Sequence, residues 1–106
     1  MPFAGYFSSC DPGETQPYSI DFANQLSGDS IVSIAATLAA DQGADARASS
    51  WLLASSFSDT VCTAMIGGAL PNGLQPGVTY RLMFTVTTAD GRTLSDYAFI
   101  PCAPIT

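Results

Sequence analysis

The sequence predicts an all-β protein, an antiparallel β-sandwich, and three observations carry that expectation. Residues 80–88 (Tyr80-Arg81-Leu82-Met83-Phe84-Thr85-Val86-Thr87-Thr88) alternate in character, meet Asp90-Gly91, and return from Thr93 to Pro101, which is the pattern of a β-hairpin. Elsewhere the apolar stretches are short, repeat with a period of two and are separated by turn residues at near-regular spacing, so that six or seven strands are expected. Finally, 106 residues with 47% hydrophobic and 11% charged side chains suffice for one buried core but not for two.

In chain order, residues 1–17 set Phe3, Tyr6 and Phe7 among Gly5, Pro12, Gly13 and Pro17 without a period. Two readings stand for this stretch: an extended N-terminal arm, or a first edge strand over residues 3–8. The expected organisation is an arm at 1–17, a sandwich at 18–102 and a tail at 103–106. Residues 18–22 form a short strand, and residues 23–28 a turn or single helical turn stopped at Gly28. Residues 29–38 form a second strand, with Val32, Ile34, Ala36 and Leu38 on one side. The alanine-rich residues 39–49 are assigned to a loop, because strand spacing outweighs their helix propensity. A third strand covers residues 48–57, with the single tryptophan, Trp51, in the middle of the core, and a fourth covers residues 60–66.

A two-residue type I′ turn at Asp90-Gly91 sets the hairpin register. It places Val86 against Ser95, Phe84 against Tyr97 and Leu82 against Phe99. The core face then carries Tyr80, Leu82, Phe84, Val86, Tyr97 and Phe99, while Arg81, Thr85, Thr87 and Asp96 lie on the reverse beside Met83 and Ala98. A three-residue loop would instead set Phe84 against Asp96, and the cost of burying a carboxylate argues against it.

Composition excludes several functions. There is no histidine, so imidazole-based nucleophilic and metal chemistry is missing, and no glycine-rich loop with a following lysine is present to cradle phosphate. The formal net charge is -6, lysine is absent and the cations are Arg47, Arg81 and Arg92, which leaves nothing to neutralise nucleic acid or anionic lipid. No stretch reads as a membrane span or signal peptide, and the chain is expected to be made in the cytosol.

Cys10, Cys62 and Cys102 form an odd set without CxxC spacing. They are read as thiols, with a Cys10–Cys102 or Cys62–Cys102 bridge only after release into an oxidising medium. The nine carboxylates sit mostly in turns, where Asp bonds local backbone, and Asp41 with Asp45 falls short of a calcium loop and reads as solvated. No catalytic residue, cofactor or metal ligand is assigned, and an enzyme is not expected.

Leu74, then Pro76-Gly77, then Tyr80 at the start of a long strand resembles the tyrosine corner of immunoglobulin and fibronectin type III sandwiches, in which the phenol bonds back to turn backbone. The wider pattern resembles the fibre-tail adaptor proteins of tailed bacteriophages, small virion proteins with an immunoglobulin-like fold. It lies in Asp11-Pro12 leading to Tyr18-Ser19-Ile20-Asp21-Phe22 with Leu26 and Gly28-Asp29-Ser30-Ile31, in Ala64-Met65-Ile66-Gly67-Gly68, and in Thr79-Tyr80 through Asp90-Gly91-Arg92-Thr93 to Asp96-Tyr97. That resemblance implies a non-catalytic adaptor repeated around the tail axis, bridging the tail machine to a fibre or receptor-binding protein and resident in the virion tail. Candidate contacts are Phe3, Tyr6 and Phe7. Two alternatives remain: another decoration, collar or tail-tip role, or a carbohydrate-binding module stacking sugars on Tyr6, Phe7, Trp51 or Tyr97.

Overall fold

The computed structural model describes residues 3–6, 15–68 and 73–102. Wherever the sequence alternates, the chain is extended: β1 (Phe3–Tyr6), β2 (Gln16–Asp21), β3 (Ile31–Gln42), β4 (Leu52–Ser58), β5 (Val61–Ile66), β6 (Thr79–Thr88) and β7 (Thr93–Pro101). One helical turn, α1 (Ala23–Leu26), follows β2, and a 3-10 turn (Ala48–Trp51) precedes β4. The strands form two sheets, ordered β1-β7-β6-β3 and β2-β5-β4, so the protein is an all-β sandwich. All pairings are antiparallel except β1 with β7, which is parallel.

The inner faces supply the core. From one sheet come Leu38, Tyr80, Leu82, Phe84, Val86, Ala98 and Ile100, and from the other Tyr18, Ile20, Cys62, Ala64 and Ile66. Phe22 and Leu26, also fully buried, are delivered by the α1 turn. Each large side chain removed from water stabilises the sandwich by roughly 1.5–3 kcal/mol before ordering costs. α1 stops where Ser27 and Gly28 both take positive φ.

The hairpin register differs from the sequence expectation. β6 and β7 pair Phe84 with Asp96, Val86 with Leu94, Leu82 with Ala98 and Tyr80 with Ile100. Thr88 N–H donates to Arg92 O (2.9 Å) and Gly91 N–H to Thr88 O (3.0 Å), so the connection is a three-residue loop in which Gly91 has φ 83°. Asp90 is not at positive φ, which excludes the type I′ turn; Asp-Gly here ends a turn and opens a glycine bulge. Consequently Tyr97 and Phe99 stand half-buried on the outer face, edge to face at 5.8 Å, while Ala98 and Asp96 point inward. The burial cost that argued against this register is met locally: Asp96 accepts from Tyr97 N–H (2.8 Å) and Gln25 Nε2 (3.2 Å).

Three smaller differences accompany it. β3 extends to Gln42, taking in part of the expected loop, and a bulge between Ile31 and Ser33 leaves Val32 59% exposed while Ile31 is buried. β2 begins at Gln16. Trp51 is buried, but it ends the 3-10 turn rather than sitting mid-strand. For the N-terminal stretch, the backbone of residues 3–6 pairs with β7 as an edge strand, whereas residues 7–14 and the side chains of Phe3, Tyr6 and Phe7 lie outside the described residues.

Candidate functional site

The entrance to β6 is fixed by a compact hydrogen-bond network. Gln75-Pro76-Gly77-Val78 is a β-turn with Val78 N–H bonded to Gln75 O (3.4 Å) and Gly77 at φ 77°, and Gly77 N–H reaches Cys102 O (3.1 Å). Tyr80, fully buried beside the equally buried Leu74, accepts from Gln75 N–H through its hydroxyl (2.8 Å). That hydroxyl donates in turn to Asp45 Oδ2 (2.5 Å), which also accepts from Trp51 Nε1 (2.9 Å), while Asp45 Oδ1 takes Arg47 N–H (3.0 Å). The Arg47 guanidinium lies 4.8 Å from the centre of the Trp51 ring. Asp45 is therefore half-buried and fully engaged, not the solvated loop residue expected from sequence. Nearby, Gly73 has a structural requirement: a Cβ there would fall inside contact distance of the Gly68 carbonyl oxygen.

A second network pins the hairpin tip to α1. Arg92 Nη2 donates to Leu26 O (2.6 Å), a helix-end carbonyl, and to Asp29 Oδ2 (3.2 Å), while Ala89 N–H reaches Ser30 O (2.9 Å). Asp29 Oδ1 accepts from Ser30 N–H (2.8 Å) and Asp90 N–H (3.3 Å). At the other end of α1, Asp21 Oδ1 accepts from Thr60 Oγ1 (2.7 Å) and Ala23 N–H (2.9 Å).

These networks shift titration. The Thr60 hydroxyl, then Ala23 N–H, holds Asp21 below the usual carboxylate range; the Thr88 hydroxyl does so first for Asp29, followed by Ser30, Arg92 and Asp90. For Asp45, desolvation is the largest single influence and acts upward, but the combined donors Tyr80, Trp51 and Arg47 outweigh it and the carboxyl is also held low. Burial, with the Asp45 bond adding to it, raises the Tyr80 phenol well above its ordinary value. Cys62 is pushed up to about 11 by burial, which keeps it an unreactive thiol.

Lowered carboxyls stabilise the fold above their unfolded value near 3.9, and that contribution disappears as pH falls through the lower folded values. Raised groups act in the opposite sense, stabilising fully below the unfolded thiol and phenol values of roughly 9 and 10 and losing effect as pH rises through the folded ones. The melting temperature is thus expected to be flat between about pH 5 and 8 and to fall below about pH 4 and above about pH 10. A profile still rising as pH is lowered through 4 contradicts the carboxylate networks.

Among the described residues, no group of three or more His, Cys, Asp or Glu could hold a metal ion, and Cys62 and Cys102 are buried thiols. No helix among them is long and apolar enough to cross a membrane. Trp51 is turned into the domain and so is withdrawn from any sugar-stacking surface, while Tyr97 stands on the outer face of the larger sheet.

The outer faces of the two sheets carry few charges. On the outer face of the larger sheet, Ser33, Ala35, Thr37 and Ala39 of β3 line up with Thr87, Thr85, Met83 and Arg81 of β6, and next to them stand Ser95, Tyr97 and Phe99 of β7. The smaller sheet exposes Leu53 (54%), Phe57 (38%) and Met65 (38%), with a shallow depression lined by Ala54, Ser55, Ser56, Thr63 and Met65. These surfaces were not singled out from sequence. Their signal is nevertheless there, in acid-free runs at residues 30–40 and 46–58 of a chain with nine carboxylates. Such a surface suits protein contact rather than chemistry.

Among known proteins, the family model described as Podophage GP4 fiber-tail adaptor protein gp77 aligns with residues 11–101. No curated protein matches the chain, and no solved structure does.

Proposed function

The chain belongs to the podophage GP4 fiber-tail adaptor family, and from that premise we propose that it is a structural bridge between a ring of the tail machine and a fibre or receptor-binding protein, repeated around the tail axis and resident in the virion. The observation that carries this reading is the family match over nearly the whole sandwich. Two structural features support it. The sheet orders 2-5-4 and 3-6-7, together with the Tyr80 corner, agree with an immunoglobulin-like connectivity in which loops and edges are left free for partners. The broad outer faces, poor in charge, are surfaces that a virion neighbour would cover. A net charge of -6 without lysine disfavours nucleic acid and anionic membrane as partners, and synthesis in the host cytoplasm accords with the composition.

Phe3, Tyr6 and Phe7 are the proposed contacts to the neighbouring tail component. At about 25 cal/mol per Å² of buried apolar surface, three docked aromatics contribute several kcal/mol before ordering costs, enough for a repeated ring contact and marginal for an isolated one. Replacing all three by serine is expected to leave a folded sandwich by circular dichroism but to abolish co-sedimentation with particles lacking the native protein. Unfolding of that variant would make these side chains part of the sandwich, and normal incorporation would move the interface elsewhere.

A further inference from the structure

β4 is an edge strand, and its sequence, Leu52-Leu53-Ala54-Ser55-Ser56-Phe57-Ser58, contains no charge and no proline. Edge strands present alternate backbone N–H and C=O groups outward, and folded proteins ordinarily blunt them with lysine, proline, inward charges or a covering element. Among the described residues the one blunting feature is a bulge between Leu52 and Ala54, so residues 54–58 remain regular, and every residue from 53 to 58 is exposed. β3, an edge of the larger sheet, carries Asp41 and is bulged near both ends.

We infer that β4 pairs with β4 of a second copy of this chain, antiparallel about a two-fold axis near Ser55. Charge selects the occupant. In a chain of net charge -6, most self-contacts set carboxylates against one another, but residues 46–59 hold only Arg47 and Asp59. With Ser55 on the axis, the Asp59 end of each strand lies toward the 3-10 turn that precedes the partner's strand, whose N-cap is the exposed Arg47. The charges flanking each end of the seam are therefore of opposite sign. The same operation brings the Leu53 end of one strand beside the Phe57 end of its partner, covering two of the most exposed large apolar side chains. The outward backbone groups of residues 54–56 lie opposite one another in both copies.

A single strand pair is small beside a standard interface of roughly 1,600 Å², so the pair forms reversibly with concentration. It is also isologous and closes on itself, which means that a ring around the tail axis must use another surface. The inference does not rest on the adaptor reading: loss of the pair in solution leaves that reading standing, and failure to enter virions leaves the pair standing.

The test is sedimentation velocity of the purified full chain from about 1 µM to about 1 mM. A monomer–dimer equilibrium is expected, weakened at least about tenfold by Ser56→Lys, whose exposed position tolerates lysine and whose fold is checked by circular dichroism. As an independent readout, Ser55→Cys in a Cys10→Ser background should give a disulfide-linked dimer under mild oxidation, because the two thiols face each other at the axis. A protein that stays monomeric throughout overturns the inference. So does a dimer that is indifferent to Ser56→Lys and yields no cross-link.

Discussion

Phe84→Ala is expected to destabilise the domain by about 3–5 kcal/mol and Ile100→Ala by about 2–5 kcal/mol, whereas Phe99→Ala costs clearly less than either. Phe84 and Ile100 are fully buried between the sheets, and close packing prevents the surroundings from collapsing into the space left behind. Phe99 stands half-buried on the outer face, where water fills the vacancy. For a domain of this size a loss of 1 kcal/mol lowers the melting temperature by roughly 4–8 °C, so thermal melts separate the three variants readily. The ordering also reports the register, since the two-residue turn would bury Phe99 and turn Ile100 outward. A larger loss for Phe99→Ala than for Ile100→Ala would sink the observed pairing.

Leu74→Ala should cost about 2–5 kcal/mol through the cavity left beneath the Tyr80 corner. Tyr80→Phe should cost about 1.5–3 kcal/mol, more than one neutral hydrogen bond, because the lost hydroxyl serves two partners and one is a carboxylate. Without it Gln75 N–H and Asp45 lose a bond together, although Trp51 and Arg47 N–H still hold the carboxylate. A double-mutant cycle of Tyr80→Phe with Asp45→Asn isolates the charged part and should show coupling of about 1 kcal/mol or more. Purely additive losses would mean that the two side chains do not cooperate. Since this network ties the loop after β3 to the start of β6, its loss is also expected to loosen the 3-10 turn that leads into the β4 edge.

Much of this architecture was legible from local chemistry. The sandwich class, the single helical turn after β2, the strand over β5, the β6–β7 hairpin and the Tyr80 entrance all rest on periods of two and on turn residues that act over a few positions. Membership of the fibre-tail adaptor family was legible in the same segments, since residues 11–101 carry them.

Register was not legible, because a one-residue slip leaves the local pattern intact and exchanges the faces of β7. Turn preference favoured Asp90 and Gly91 as the central pair, but that preference is local, while the three-residue loop gains contacts from distant chain: Arg92 on the Leu26 carbonyl, Ala89 on Ser30, Asp90 on Asp29 and Gln25 on Asp96. The same holds for Asp45. Thirty-five residues separate it from Tyr80, and no spacing rule marks it as the partner of a buried phenol. Which polar groups are buried, and what satisfies them there, is a property of the assembled sheets. The sequence determined where strands and turns fall and the class of protein they make; the tertiary structure alone decided which face each side chain occupies, because burial and the hydrogen bonds that permit it form between segments far apart in the chain.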